Sequence, residues 1–107
     1  MIKDNLAFAL EKGALRIFII GEITHHSAAE MREKIDEKIC EVSPQKAVLD
    51  LSQLNFMDSS GMGLIIGRYR LLQELQAELV IENPHPGILK LLKCAGVDRI
   101  IKIVDSE

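Results

Sequence analysis

The residues best suited to chemistry stand together in one block of eight. The block reads Phe56-Met57-Asp58-Ser59-Ser60-Gly61-Met62-Gly63. It places two hydroxyls beside a carboxylate at the point where an apolar strand gives way to a helix. A helix start tolerates a phosphate, because free backbone N–H groups and the positive end of the helix dipole favour an anion there.

Phosphorylation in this block would change the surface more than the fold. A phosphate adds roughly two negative charges next to Asp58, in a patch otherwise made of glycine and the soft apolar Met57 and Met62. A partner docked on that patch would be repelled, so the block is interpreted as a phosphorylation switch. The alternative is that Ser59 and Ser60 only cap a helix.

The glycines of the block are unfavourable in a helix. Gly61 and Gly63 each cost roughly 1 kcal/mol against alanine in a helix interior, and Gly67 repeats the penalty one turn later. Their missing side chains allow another protein, or the chain's own sheet, to approach the helix backbone closely. Both explanations remain open at this point.

The elements that position the block follow from hydrophobic spacing. The run Lys46 to Leu51 predicts a central buried strand, and apolar residues at helical spacing predict a helix from the serines to about Leu75 or Gln76. Asp58 or Ser59 is the expected N-cap.

The rest of the chain alternates between strands and helices. The first predicted elements are a hairpin of Asn5 to Leu10 and Ala14 to Ile20, turned at Gly13, and a helix from Ser27 to Val42 that begins with a capping box. After the second helix we expect a strand from Glu78 to Glu82. A short helix from Pro86 that carries Val97 follows, and then a last strand or edge segment from Ile100 to Val104. The order predicts a single α/β domain over residues 1–107, with a mixed β-sheet of four to five strands and helices mainly on one face.

Composition narrows the function classes. With 107 residues and 48% hydrophobic content, the chain suits one packed core. A net charge of -3 without a basic stripe argues against direct nucleic-acid binding. No apolar run approaches the ~20 residues of a membrane span, and the N-terminus lacks a signal-peptide pattern, so we expect a cytoplasmic protein that binds no membrane.

The sequence gives little support for metal binding, nucleophilic catalysis, nucleotide binding or cysteine chemistry. His25 and His26 lack a third metal ligand, and Ser59 has neither a G-x-S-x-G elbow nor a histidine base. No P-loop occurs, and Cys40 and Cys94 fit reduced, mostly packed thiols. We therefore predict no catalytic residue, no metal, no cofactor and no enzyme.

Charged residues on the two long helices have structural explanations. Mixed charges on the first helix, among them Arg32 and Asp36, indicate a solvated face. Arg68 and Arg70 lie late in the second helix, where cations suit the dipole.

Three stretches together resemble a known family. They are the run from Gly21 to Ala28, the run Val48 to Leu51, and the block Phe56 to Gly63 with Gly67-Arg68-Tyr69. These stretches resemble the anti-sigma factor antagonists of the STAS domain family, and the resemblance covers nearly the whole chain in order. It is strongest to the sporulation antagonists of spore-forming Gram-positive bacteria.

The resemblance implies a phosphorylation switch. Ser59 matches the serine that an anti-sigma factor, itself an ATP-dependent serine kinase, phosphorylates, and Ser60 is the fallback. The unphosphorylated form would bind the anti-sigma factor and free a sigma factor, and a PP2C-type phosphatase would reset the switch. The implied partner-binding residues are Thr24, His25, His26, Met57, Asp58, Ser59, Ser60, Gly61, Met62 and Gly63.

Two departures from the family and two alternative functions remain. One departure is that the sequence stops at Glu107, where relatives commonly add a final helix. Close relatives often carry Asp where this chain has Thr24, which puts a partner contact by that acid in doubt. The first alternative function is a STAS interaction module in a stress-signalling or lipid-transport assembly. The second is a small ligand-binding or nucleotide-binding enzyme.

Overall fold

The computed structural model describes residues 5–105. Within that range, seven strands and three α-helices follow one another along the chain. Their bounds are β1 Leu6–Glu11, β2 Ala14–Ile19, β3 Gly21–Ile23, α1 Ala28–Val42, β4 Lys46–Asp50, β5 Leu54–Met57, α2 Ser59–Glu74, β6 Glu78–Glu82, α3 Pro86–Cys94 and β7 Lys102–Val104.

Five of the strands form one mixed sheet in the order β1-β2-β4-β6-β7. The first pair is an antiparallel hairpin, and the later neighbours are parallel because helices connect them. The hairpin turns at Lys12 and Gly13, whose φ angles of 44° and 85° are left-handed. The predicted hairpin and mixed sheet are confirmed.

The core lies on one face of this sheet. Strand alternation turns Leu15, Ile17 and Ile19 to that face, where none is more than 1% exposed. Buried side chains of all three helices, such as Met31 of α1, belong to the same cluster. Val48 of β4 points to the opposite face from its neighbours Ala47 and Leu49, and it does not belong to this cluster. The helices therefore cover mainly one face of the sheet, as predicted.

Strands β3 and β5 form a second, two-stranded parallel sheet that the sequence analysis missed. They have three and four residues, too few for a clear alternation of apolar and polar side chains. Gly21, with φ 92°, separates β3 from β2 where we had expected the strand simply to end. This small sheet carries the site described below.

The predicted helix α1 is present and begins one residue after Ser27, but the prediction that Ser27 forms a capping box is wrong. The Ser27 side chain makes no cap hydrogen bond to the helix. Its Oγ accepts from the Thr24 N–H at 3.1 Å and donates to the Thr24 carbonyl at 3.3 Å. The serine therefore closes the loop before the helix.

Two further expectations are corrected, one on the length of α3 and one on the burial of the two cysteines. Helix α3 ends at Cys94, and Gly96, with φ 79°, directs Val97 into a separate 3₁₀ turn. Cys40 and Cys94 are free as expected, but both are exposed and not packed.

Candidate functional site

The small β3–β5 sheet brings two loops side by side. Ile23 and Met57 are register partners at the ends of the two parallel strands. The Asp58 N–H then donates to the Ile23 carbonyl at 3.1 Å. As a result, the loop that begins at Thr24 lies against the start of α2, although the two are more than thirty residues apart in sequence.

Asp58 is the N-cap of α2 and connects the two loops. Its Oδ1 accepts from the Ser60 N–H at 2.8 Å, which satisfies a donor in the first turn. Its Oδ2 accepts from the His25 N–H at 3.2 Å. The hydrogen bond from Ser60, followed by that from His25, holds the pKa of Asp58 below its ordinary range. Asp58 is thus the N-cap that we had left open between Asp58 and Ser59.

The two serines are not equivalent. Ser59 is the first residue of α2 and is exposed to solvent. Ser60 is half-buried and lines a groove between α1 and α2. Of the two serines, Ser59 is therefore the more accessible to another molecule.

Gly61 has a different role from the one that its sequence suggested. It is buried, and a Cβ added to it would lie 2.7 Å from both Cβ and Sδ of Met57. Met57 itself is only 3% exposed. The missing side chain therefore makes room for the chain's own Met57, so at Gly61 the structure favours packing within the chain over the approach of a partner.

Gly63 differs from Gly61. It is exposed, and a Cβ added there would meet nothing within 4 Å. Met62 beside it is half-buried against the core. Within α2, the part of the block most open to another molecule is thus Ser59 and Gly63, with part of Met62.

The Thr24 loop presents two histidines beside this surface. The Thr24 hydroxyl accepts from the His26 N–H at 3.3 Å, and its carbonyl accepts from Ser27 and Ala28. The rings of His25 and His26 are exposed, with centroids 4.1 Å apart. In the described chain, no group of three His, Cys, Asp or Glu residues could hold a metal ion.

Arg68 is a buried residue, which corrects its assignment to a favourable interaction with the helix dipole. It is 6% exposed, and its Nε lies 2.6 Å from Oδ1 of Asp36 on α1. Its Nη1 also donates to the Leu64 carbonyl at 3.2 Å. Asp36 accordingly belongs to a contact between α1 and α2 and not to a purely solvated face.

Sequence reasoning also missed two grooves that flank the block. One, of about 450 Å³, lies between α1 and α2 and includes Arg32 and Arg68. The other, of about 480 Å³, lies between β5 and α3 and includes Phe56 and Leu91, which are 49% and 45% exposed. Phe56 was a visible signal, since a large apolar residue stood in the block itself.

Comparisons with known proteins agree with this architecture. A family model described as the STAS domain matches residues 6–107. An anti-sigma F factor antagonist of Paenibacillus polymyxa is 36% identical, over 96% of this chain and 90% of that protein.

Two solved structures are also similar. One, the anti-sigma factor antagonist SpoIIAA in its unphosphorylated form, has a TM-score of 0.82 and 27% identity over 95% of this chain and 88% of that one. The other, the Bacillus cell fate determinant SpoIIAA in the phosphorylated form, has a TM-score of 0.71 and 31% identity over 94% and 92%. The resemblance stated from the sequence is confirmed. Among the helices of residues 5–105, none has the length and apolar character needed to cross a membrane.

Proposed function

The chain belongs to the STAS domain family, and from that membership we propose that it is an anti-sigma factor antagonist controlled by phosphorylation of Ser59. In its unmodified form it binds an anti-sigma factor, and a sigma factor is released. With a phosphate on Ser59 it no longer binds. It acts as a regulatory binding protein and not as an enzyme, in the cytoplasm, where the transcription machinery is found.

One observation carries this proposal: the exposed Ser59 hydroxyl stands at the N-terminus of α2, beside the Asp58 carboxylate. The helix dipole makes a phosphate compatible with the fold. The same phosphate brings roughly two negative charges next to one already present. A partner seated over this surface would then face an anionic cluster, so modification changes binding without unfolding the domain.

The residues around Ser59 support a partner surface. Thr24, His25 and His26 lie beside the helix start, and the His25 N–H connects their loop to it by donating to Asp58. Ser60 and Gly63 line the groove beside α1. Met62 is partly open, whereas Met57 and Gly61 are buried and support the surface from below. The proposed contacts are therefore made by the exposed Ser59, His25, His26 and Gly63, with the half-buried Asp58 beside them.

The proposed modifying enzymes are two. The anti-sigma factor acts as the ATP-dependent serine kinase, and a PP2C-type phosphatase removes the phosphate. The relatives named as anti-sigma factor antagonists support the first partner by analogy.

The direct test is to purify the chain with the anti-sigma kinase from its own genome. Binding is measured by calorimetric titration before and after incubation with ATP. We expect tight binding before phosphorylation and its loss afterwards, with recovery on phosphatase treatment. Failure of the unmodified protein to bind would overturn the proposal.

A further inference from the structure

The groove between α1 and α2 is widened by two glycines on its α2 side. Gly63 and Gly67 lie on that side, and a Cβ at either position would meet nothing within 4 Å. At Gly61, in contrast, the Met57 side chain occupies the space where a Cβ would stand. Ala28 and Ala29 form the α1 side, so the backbones of both helices are accessible from the groove.

Two arginines line this groove, and only one of them has a carboxylate partner. Arg68 forms an ion pair with Asp36, in which its Nε lies 2.6 Å from Oδ1 and its Nη2 donates to Oδ2 at 3.3 Å. Asp36 is also the residue four positions after Arg32, where a helical ion-pair partner would stand. Among the described residues Arg32 has no ion pair, and it is exposed.

The two arginines are close enough to influence each other. Burial lowers the pKa of Arg68, Asp36 opposes that effect, and the charge of Arg32 lowers it further. Because Arg68 is paired with Asp36 and Arg32 forms no ion pair in the described part of the chain, the Arg32 guanidinium is the charge in the groove that is open to a partner. A complementary occupant carries a negative charge.

We infer that this groove receives an acidic side chain of the anti-sigma factor, a carboxylate that pairs with the Arg32 guanidinium. This inference rests on the proposed function, because it assigns a second contact to the same partner. The groove adjoins the proposed partner surface around Ser59, because His25 and Ser60 line the groove as well. A partner over Ser59 can therefore also place an acidic residue between the two helices.

The chemistry of the contact favours a protein carboxylate. A guanidinium presents a planar set of donors that a carboxylate accepts with two oxygens. The glycine side allows the partner's backbone to come near enough for a short Asp or Glu side chain to reach Arg32.

The test compares Arg32→Gln with Arg70→Gln. Arg70 is an exposed arginine of α2 that does not line the groove, so both variants lose the same charge. Affinity for the purified anti-sigma kinase is measured by calorimetric titration at low and high salt. We expect Arg32→Gln to weaken binding about tenfold and to reduce the salt dependence, while Arg70→Gln stays near wild type.

A double-mutant cycle then identifies the acidic residue of the partner. Replacement of that residue by its amide should weaken binding to the wild type but add little to Arg32→Gln. Equal affinities of Arg32→Gln, Arg70→Gln and the wild type would overturn the groove contact, while the proposed function stands. Absence of binding by the unmodified wild type would overturn the proposed function, and the groove contact with it.

Discussion

Asp58 joins the two loops of the site, because its Oδ2 accepts from the His25 N–H at 3.2 Å while its Oδ1 caps α2 through Ser60. One carboxylate thereby fixes both the start of the helix and the loop that carries the histidines. The position of the Ser59 hydroxyl relative to that loop depends on this side chain.

We predict that Asp58→Ala lowers the melting temperature at neutral pH and loosens the His25 loop. The N-cap acceptor is lost, and so is the hydrogen bond between the loops. Thermal melts with amide hydrogen exchange at His25 and Ser60 measure both effects. Asp58→Asn is the matched control, since its amide oxygen can still accept one hydrogen bond, and it should fall between the two proteins.

The same carboxylate predicts a pH dependence. The pKa of Asp58 is lowered in the folded state, so its contribution to stability is present above the ordinary aspartate value of about 3.9 and is lost as the pH falls through the folded value. The difference in melting temperature between wild type and Asp58→Ala should be constant near neutrality and shrink in acid. A difference that grows in acid would contradict the hydrogen-bond assignment.

We predict opposite effects of alanine at two glycines of α2. Gly61→Ala forces a Cβ to within 2.7 Å of the Met57 Cβ, and such overpacking costs about 1–3 kcal/mol. Gly63→Ala places a Cβ in open space and gains helix propensity, about 0.5–1 kcal/mol of stability. Urea unfolding of both variants measures the difference. Equal stability of the two would show that Met57 moves aside at little cost.

We predict that Asp36→Asn destabilises the fold by about 1–2 kcal/mol, because the charge of the buried Arg68 then loses its carboxylate partner. The effect is smaller than for a fully buried pair, since the Asp36 side chain is 34% exposed and solvent screens it. Glu37→Gln, an exposed neighbour on α1, is the control and should change stability little. Chemical denaturation measures both.

The long elements could be predicted because their signals are local. The spacing of Met31, Ile35 and Ile39 fixes the buried side of α1, and the run at Ala47 to Leu49 marks a central strand. The site around Ser59 could be predicted because two serines and an aspartate stand together at the start of a predicted helix.

What the sequence could not reveal depends on contacts across the chain. Strands β3 and β5 are short, and they become a sheet only through pairing with each other. Arg68 and Asp36 are 32 residues apart, so their ion pair has no local signature. Whether the space beside a glycine is filled, as at Gly61, or open, as at Gly63, depends on which side chain the fold brings there.

Ser59, rather than Ser60, is predicted to accept phosphate from the anti-sigma kinase. Ser59 is exposed, whereas Ser60 is half-buried and turned to the groove. Wild type, Ser59→Ala and Ser60→Ala are incubated with kinase and ATP, and the phosphate is mapped by mass spectrometry. Full phosphorylation of Ser59→Ala would move the assignment to Ser60.

Ser59→Asp should separate binding from stability. A negative charge at the first residue of α2 interacts favourably with the helix dipole, so the melting temperature should stay within a few degrees of wild type. The same charge lies beside Asp58 on the proposed docking surface, so affinity for the anti-sigma factor should fall at least tenfold. Ser59→Asn, similar in size and uncharged, is the control that distinguishes charge from bulk. If Ser59→Asn loses as much affinity as Ser59→Asp, bulk at the helix start is the cause; if the melting temperature of Ser59→Asp collapses, the loss comes from unfolding and not from repulsion.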